Sequence, residues 1–315
     1  MKIKLAKYIA EFMVNNGIKD VFTVTGGGAM HLNDAFGHQE GLHSTYNHHE
    51  QACAIAAEGY ARISNEIALV CVTSGPGGTN AITGVLGGWL DSIPMFVISG
   101  QVKRETTLWS TDLPLRQLGD QEYNIVDSVR PMTKYAVMVT DPLSIRYHLE
   151  KALFLAKNGR PGPVWLDIPL DVQAAVIETD DLKAFDSTER SLMENPVYNE
   201  DVTHSILSKI KEAKRPVILA GTGIRLADAY PEFLECVDKL QKKIVRRWLA
   251  NGKRVDGRGM EEVRPLAAEV GILPRVHGSG MFTRGQTQVL TLCTLGTLGD
   301  AQELDTIFEE KEKRY

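Results

Sequence analysis

Two periodicities alternate along residues 1–172, and they predict alternating helices and strands. Leu5, Ile9, Phe12 and Met13 recur at helical spacing, and Asn15-Asn16-Gly17 ends that helix. Val21-Phe22-Thr23-Val24 is a short β-rich run leading into Gly26-Gly27-Gly28. Gln51 to Arg62 is alanine-rich and free of proline, which predicts a helix preceded by a polar, strand-like stretch. Ile67-Ala68-Leu69-Val70-Cys71-Val72 is continuously apolar, as strands covered on both faces of a parallel sheet are. Gly75-Pro76-Gly77-Gly78 interrupts it, with a helix predicted from near Asn80. Met95-Phe96-Val97-Ile98 and Val164-Trp165-Leu166-Asp167-Ile168 are further buried strands. The succession implies a doubly wound, parallel-sheet α/β domain over 1–172 with its site at the carboxyl ends of the strands.

The pattern then weakens. Residues 173–203 are polar and read as a linker. A second α/β unit over 204–243 begins with an amphipathic helix from Ile206 to Ala213. A strand Pro216 to Ala220, the turn Gly221-Thr222-Gly223 and a helix from Tyr230 to Gln241 complete it. Where another strand is due, the chain has Lys242-Lys243-Ile244-Val245-Arg246-Arg247, and its character changes near Lys243. In the remaining 244–315, Thr287 to Thr294 alternates as an antiparallel strand does, and Glu309 to Tyr315 reads as a solvated charged tail.

Composition narrows the function classes. A net charge of -5 argues against a surface that binds nucleic acid overall. No apolar run approaches the ~20 residues that span a bilayer, so no membrane partner is expected. Cys53, Cys71, Cys236 and Cys293 form no CxxC and read as reduced, mostly buried thiols. With no apolar leader at Met1 to Tyr8, a cytoplasmic protein is the expectation.

Candidate chemistry begins at His48-His49-Glu50-Gln51. Consecutive residues at a helix start point in different directions, so the three ionisable groups make a poor metal cluster. By itself Glu50 is a carboxylate placed to favour a helix N-terminus. The wider pattern gives it more. His48 to Arg62 resembles the catalytic-glutamate helix of thiamine diphosphate enzymes of the acetolactate synthase type. The resemblance continues through Thr73 to Asn80, Asp91-Ser92-Ile93-Pro94, Asp120-Gln121-Glu122, Arg130-Pro131 and Gly159 to Val164, covering about residues 1 to 240. It implies that 1–172 is the pyrimidine-binding domain and 204–243 a truncated central domain. It implies thiamine diphosphate with Mg as cofactor and Glu50 as the carboxylate facing the aminopyrimidine ring. Gln121 would line the reaction centre, and Gly26, Gly27, Gly75, Pro76 and Asn80 would approach the cofactor. His31 is left open between substrate contact and an ordinary satisfied histidine.

The departures shape the expected activity. Thr25 stands where the family usually has proline, and Asp120 where it usually has phenylalanine. An acidic group there repels a carboxylate, so the expected donor is a 2-oxo acid or sugar-derived acyl compound other than two pyruvates. The family's Gly-Asp-Gly segment, which binds diphosphate and Mg²⁺ through oxygen ligands, has only the imperfect Gly299-Asp300-Ala301 as a counterpart, so no metal ligand is assigned. A flavin site is not supported. Lys253 to Gly259, Gly271 to Gly280, Phe282 to Gln288 and Leu295-Gly296-Thr297 resemble the start of the second core of polynucleotide phosphorylase, a partial α+β domain. That resemblance implies phosphate or RNA contacts at Arg254, Arg258, Arg275 and Arg284, with ordinary solvated arginines as the alternative. The combined expectation is a carboligase- or decarboxylase-like front part fused to an incomplete phosphorylase-like part. It would be inactive alone and would pair as a homodimer or with a subunit that carries the diphosphate domain. An RNA-binding fragment is the other reading.

Overall fold

A computed structural model of the chain describes residues 1–192, 199–297, 300, 302–303 and 312–313. It divides into two compact units, Met1–Pro231 and Glu232–Tyr315. In chain order the first unit contains β1 (Lys2–Lys4), α1 (Leu5–Asn15), β2 (Asp20–Thr23), α2 (Met30–His38), β3 (His43–Tyr46) and α3 (Glu50–Ser64). There follow β4 (Ala68–Val72), α4 (Pro76–Leu90), β5 (Met95–Gln101), α5 (Ile125–Val129), β6 (Tyr135–Met138), α6 (Ile145–Lys157) and β7 (Val164–Pro169). The unit closes with α7 (Leu170–Ala174), β8 (Val176–Glu178), α8 (Ser187–Leu192), α9 (Glu200–Glu212) and α10 (Gly223–Leu226).

Six parallel strands form the sheet β3-β2-β4-β5-β7-β6. Every residue of β4, β5 and β7 is buried, as their continuous apolar runs require. Alternate side chains go to opposite faces. Leu69, Cys71, Phe96, Ile98 and Leu166 pack with α1, α2 and α6, whereas Val70, Val72, Val97 and Trp165 pack with α3, α4 and α5. Loops after β2 and β4 therefore diverge to opposite faces, opening a crevice at their carboxyl ends.

Several boundaries differ from the sequence expectation. Helix α4 starts at Pro76 rather than near Asn80, because proline at the first helical position loses no hydrogen bond and has a helical φ already. Part of the stretch read as a linker, residues 176–189, packs on the first unit. β8 pairs antiparallel with β1, and Phe185 is buried against Tyr147 and Phe154. The Lys151 ammonium donates to the Tyr147 hydroxyl at 2.8 Å and ion-pairs with Glu189. Pro216 to Ala220 is not a strand: Val217 and Leu219 are 92% and 96% exposed. An apolar run needs a neighbouring strand to satisfy its backbone groups, and none lies beside it among the described residues.

The second unit takes up α11 (Tyr230–Ala250) from Glu232 onward, and this helix runs without a break through Lys242 to Arg247. β9 (Leu266–Val270), β10 (Gly278–Arg284) and β11 (Thr287–Cys293) form an antiparallel sheet in the order β11-β10-β9. Strand β11 matches the alternation read from Thr287 onward, and Gly285, at φ +62°, turns the hairpin. Of the charged run 309–315, residues 312–313 are described and pair antiparallel with 302–303; the rest lies outside the described residues. The thiols are all free, but Cys236 and Cys293 are exposed, against the expectation that most are buried.

Candidate functional site

The crevice between β2 and β4 is walled by their carboxyl-end loops and by the start of α3. Strand β3 ends at Tyr46, so the chain crosses the sheet edge and enters α3 at Glu50, its first residue. His49 caps this helix, its Nδ1 accepting the Gln51 backbone N–H at 3.1 Å. The half-buried Glu50 carboxylate thus sits at a helix N-terminus, where the dipole favours negative charge. Asn80, one turn into α4, donates its amide to Glu50 Oε2 at 2.9 Å. Glu50 Oε1 has no hydrogen-bond partner among the described residues. One carboxylate oxygen is fixed and the other is available.

Thr73 is the residue that ties the crevice together, and sequence reasoning gave it no role. Its hydroxyl accepts the Gly28 N–H at 3.1 Å. A Cβ on Gly26 would lie 2.5 Å from Thr73 Cβ, so the loop after β2 can approach only as glycine. Gly75 has φ +54°, and a Cβ there would stand 2.2 Å from the Gln121 carbonyl oxygen. The glycines at 26 and 75 therefore answer first to the protein's own close packing. The signal for Thr73 lay in its place directly before Ser74-Gly75 at the end of β4.

Gln121 is itself at φ +57°, with its backbone against Gly75 and its side chain exposed. Asp120 beside it is exposed. The loop is organised by the next residue, Glu122. Its carboxylate accepts backbone N–H groups of Leu108 at 2.5 Å, Leu118 at 2.9 Å and Gly119 at 3.3 Å. The motif Asp120-Gln121-Glu122 assigns Glu122 no role, because three backbone donors for one carboxylate cannot be seen in a linear sequence.

The remaining candidates are placed otherwise. His31 hydrogen-bonds through Nδ1 with the Lys4 ammonium at 2.9 Å, and burial followed by the Lys4 charge lowers its pKa. In the second unit, Arg254 and Arg258 both pair with Asp256, whose carboxyl is held down at about 2 by Arg258 foremost. Arg284 is exposed at the end of β10 with no ion pair among the described residues. The Asp300 carboxylate accepts both the backbone N–H and the hydroxyl of Thr297 at 2.7 Å; residues 299 and 301 lie outside the described residues. Among the described residues no helix is long and apolar enough to cross a membrane.

Comparison with known proteins adds an independent finding. Residues 3–125 match the family described as thiamine pyrophosphate enzyme, N-terminal TPP binding domain. The chain is 32% identical over 257 residues to the acetolactate synthase large subunit of Lactococcus lactis, covering 80% of this chain and 43% of that protein. It is 33% identical over 240 residues to the Escherichia coli acetolactate synthase isozyme 3 large subunit, covering 76% and 40%. With the chloroplastic acetolactate synthase of Arabidopsis thaliana it shares 34% identity over 241 residues, covering 74% and 34%. The chain spans about two fifths of the length of the bacterial relatives.

Proposed function

From a chain whose first part is the pyrimidine-binding domain of a thiamine pyrophosphate enzyme and which is acetolactate synthase-like over most of its length, we propose that Glu50 serves the pyrimidine side of a thiamine diphosphate site. The reaction is a carboligation or decarboxylation of a 2-oxo acid or related acyl donor. The observation that carries this reading is the Glu50 carboxylate, with Asn80 holding Oε2 and Oε1 left available.

The residues present fit the group. A free carboxylate oxygen at a helix N-terminus suits a ring nitrogen that must be hydrogen-bonded or protonated. Backbone at Gly26, Gly27, Gly75 and Pro76 forms the walls of the same crevice. When bound, thiamine diphosphate supplies the nucleophilic carbon that attacks the substrate carbonyl. The chain's part is to hold a proton at Glu50 Oε1, to orient the ring through the loops that Thr73 and Gln121 fix, and to present Gln121 and Asp120 toward the substrate. Asp120 disfavours a second carboxylate at that point, which supports a donor and acceptor other than two pyruvates. Diphosphate and Mg²⁺ need hard oxygen ligands; in this reading they come from a paired subunit that carries the diphosphate-binding domain. Ile55 on α3 and Leu86 on α4, both exposed, offer the apolar surface for that pairing.

Thiamine, which carries the aminopyrimidine without the diphosphate, tests the reading directly. In an NMR titration of the full chain we expect saturable shifts at Glu50, Gly75 and Asn80. Glu50→Gln should weaken them by about tenfold, the worth of one charge-assisted hydrogen bond. No shift in that crevice, or equal binding by Glu50→Gln, overturns the proposal.

A second reading concerns the second unit, where the antiparallel sheet and Arg284, exposed and without an ion pair among the described residues, support contact with RNA phosphates. Affinity for polyadenylate should fall with salt, and Arg284→Ala should reduce the slope by about one phosphate contact. Binding indifferent to salt and to that substitution would end this reading.

A further inference from the structure

At the opposite edge of the sheet, where strands β6 and β7 begin, lies a cavity of about 370 Å³ lined by Trp89, Leu90, Lys134, Arg160 and Pro161. Trp89 is nine residues along α4 from Asn80, about 13 Å at the helical rise, so the cavity is separate from the crevice at Glu50. Its size falls within the ordinary range for small-molecule sites.

Its charges are unbalanced. The Lys134 ammonium donates to the Asn158 carbonyl oxygen. The Arg160 guanidinium donates from Nε to Ser92 Oγ at 2.6 Å and from an Nη to the Leu90 carbonyl at 3.4 Å. These partners are neutral, and neither cation has a carboxylate at ion-pair distance among the described residues. The nearby Asp91 carboxylate is taken by Arg62 at 2.5 Å. Burial lowers the Lys134 pKa with nothing opposing it, the mark of a cation short of a counter-charge.

Both cations are also held in place. A Cβ on Gly162 would lie 3.3 Å from Lys134 Cγ and 3.6 Å from the Trp89 indole, so the lysine stem and the ring pack against the same backbone. Arg160 is anchored by two bonds, one to Leu90 at the end of α4 and one to Ser92 just beyond it, held at φ +62°. Fixed donors beside an apolar wall lower the cost of ordering a ligand.

We propose that this cavity binds a small anion carried on a flat ring, of the mononucleotide class. The ring lies against Trp89, Leu90 and Pro161, and the phosphate takes its charge partners from Lys134 and Arg160. Arginine and an indole face are suited to those two halves. The site needs neither Glu50 nor a cofactor, and it stands or falls apart from the proposed reaction.

Calorimetric titration of the full chain with adenosine monophosphate, with inorganic phosphate in parallel, tests it. We expect saturable nucleotide binding, weakened about tenfold in Lys134→Met and in Trp89→Leu, and unchanged in Glu50→Gln. Because Arg160 also braces Ser92, Arg160→Met is informative only where circular dichroism shows native folding; the other two variants carry the test without it. Absence of saturable binding, or full affinity in both Lys134→Met and Trp89→Leu, overturns the proposal. Inorganic phosphate binding as tightly as the nucleotide overturns the assignment of the ring.

Discussion

At Asp167 the carboxyl group lies inside the sheet, where Ser99 Oγ is 2.6 Å from one oxygen and the Gln101 amide donates to the other at 3.0 Å. The Trp165 indole N–H completes the network at Ser99 Oγ, 2.8 Å away. Burial pushes the Asp167 pKa up to about 7 from an ordinary 3.8, because leaving water penalises the charged form. The folded chain therefore keeps a proton that the unfolded chain has already released. The contribution to stability is fully present below the ordinary value, falls as pH rises through the interval up to about 7, and stays lost above it. Its size is on the order of a few kcal/mol. Asp167→Asn keeps the shape without the charge. Urea unfolding from pH 5 to 8 should show the native chain losing stability relative to the variant; parallel curves would mean that Asp167 is already ionised in the fold. Sequence alone placed Asp167 in a buried strand. The neighbours that decide its protonation sit on β5, across the register that pairs Ser99 with it.

Between elements, the contact that positions Glu50 against Asn80 is the close approach of α3 and α4. A Cβ on Gly84 would lie 2.6 Å from Ala54 Cβ and 2.7 Å from the Ile55 backbone nitrogen. Gly84→Leu must push the helices apart, at a cost of about 1–3 kcal/mol. It should also weaken thiamine binding, because Asn80 and Glu50 are carried on the separating helices. Thr83→Leu, one residue away on the exposed side, should stay within about 0.5 kcal/mol in the same denaturation experiment. The alanine-rich run from Gln51 to Arg62 made α3 legible, since small residues with helical propensity need no partner to be recognised. The start of α4 was not. Whether Gly75-Pro76 ends a loop or opens a helix depends on Gln121, whose carbonyl excludes any Cβ at 75, and that residue is 46 positions away in sequence.

On the scale of the whole chain, burial is divided unevenly. Phe185 is the last buried hydrophobic residue among those described, and beyond it Ser279 is the single buried side chain. Among the described residues the hydrophobic effect that stabilises a fold therefore resides almost entirely before residue 192. A fragment of residues 1–192 should unfold with a cooperative transition within about 2–4 °C of the full chain, a shift of the size that one kcal/mol produces in a domain of this length. A much lower midpoint would show that later residues contribute to the core. The apolar stretches after residue 204 met the sequence rules as well as those before 172, yet Pro216 to Ala220 formed no strand while Ala68 to Val72 did. By itself the sequence determined the elements whose signal is local: α1, α3, the buried strands β4, β5 and β7, the hairpin strand β11 and Glu50 at a helix start. Only the tertiary structure decided what depends on a distant partner. That includes the docking of β8 on β1, the place of Thr73 and Glu122, the commitment of Arg254 and Arg258 to Asp256, and the failure of 216–220 to pair. The reason is physical: periodicity records which side of a segment avoids water, whereas a strand, a shared hydrogen bond or a raised pKa exists only when a second segment arrives to complete it.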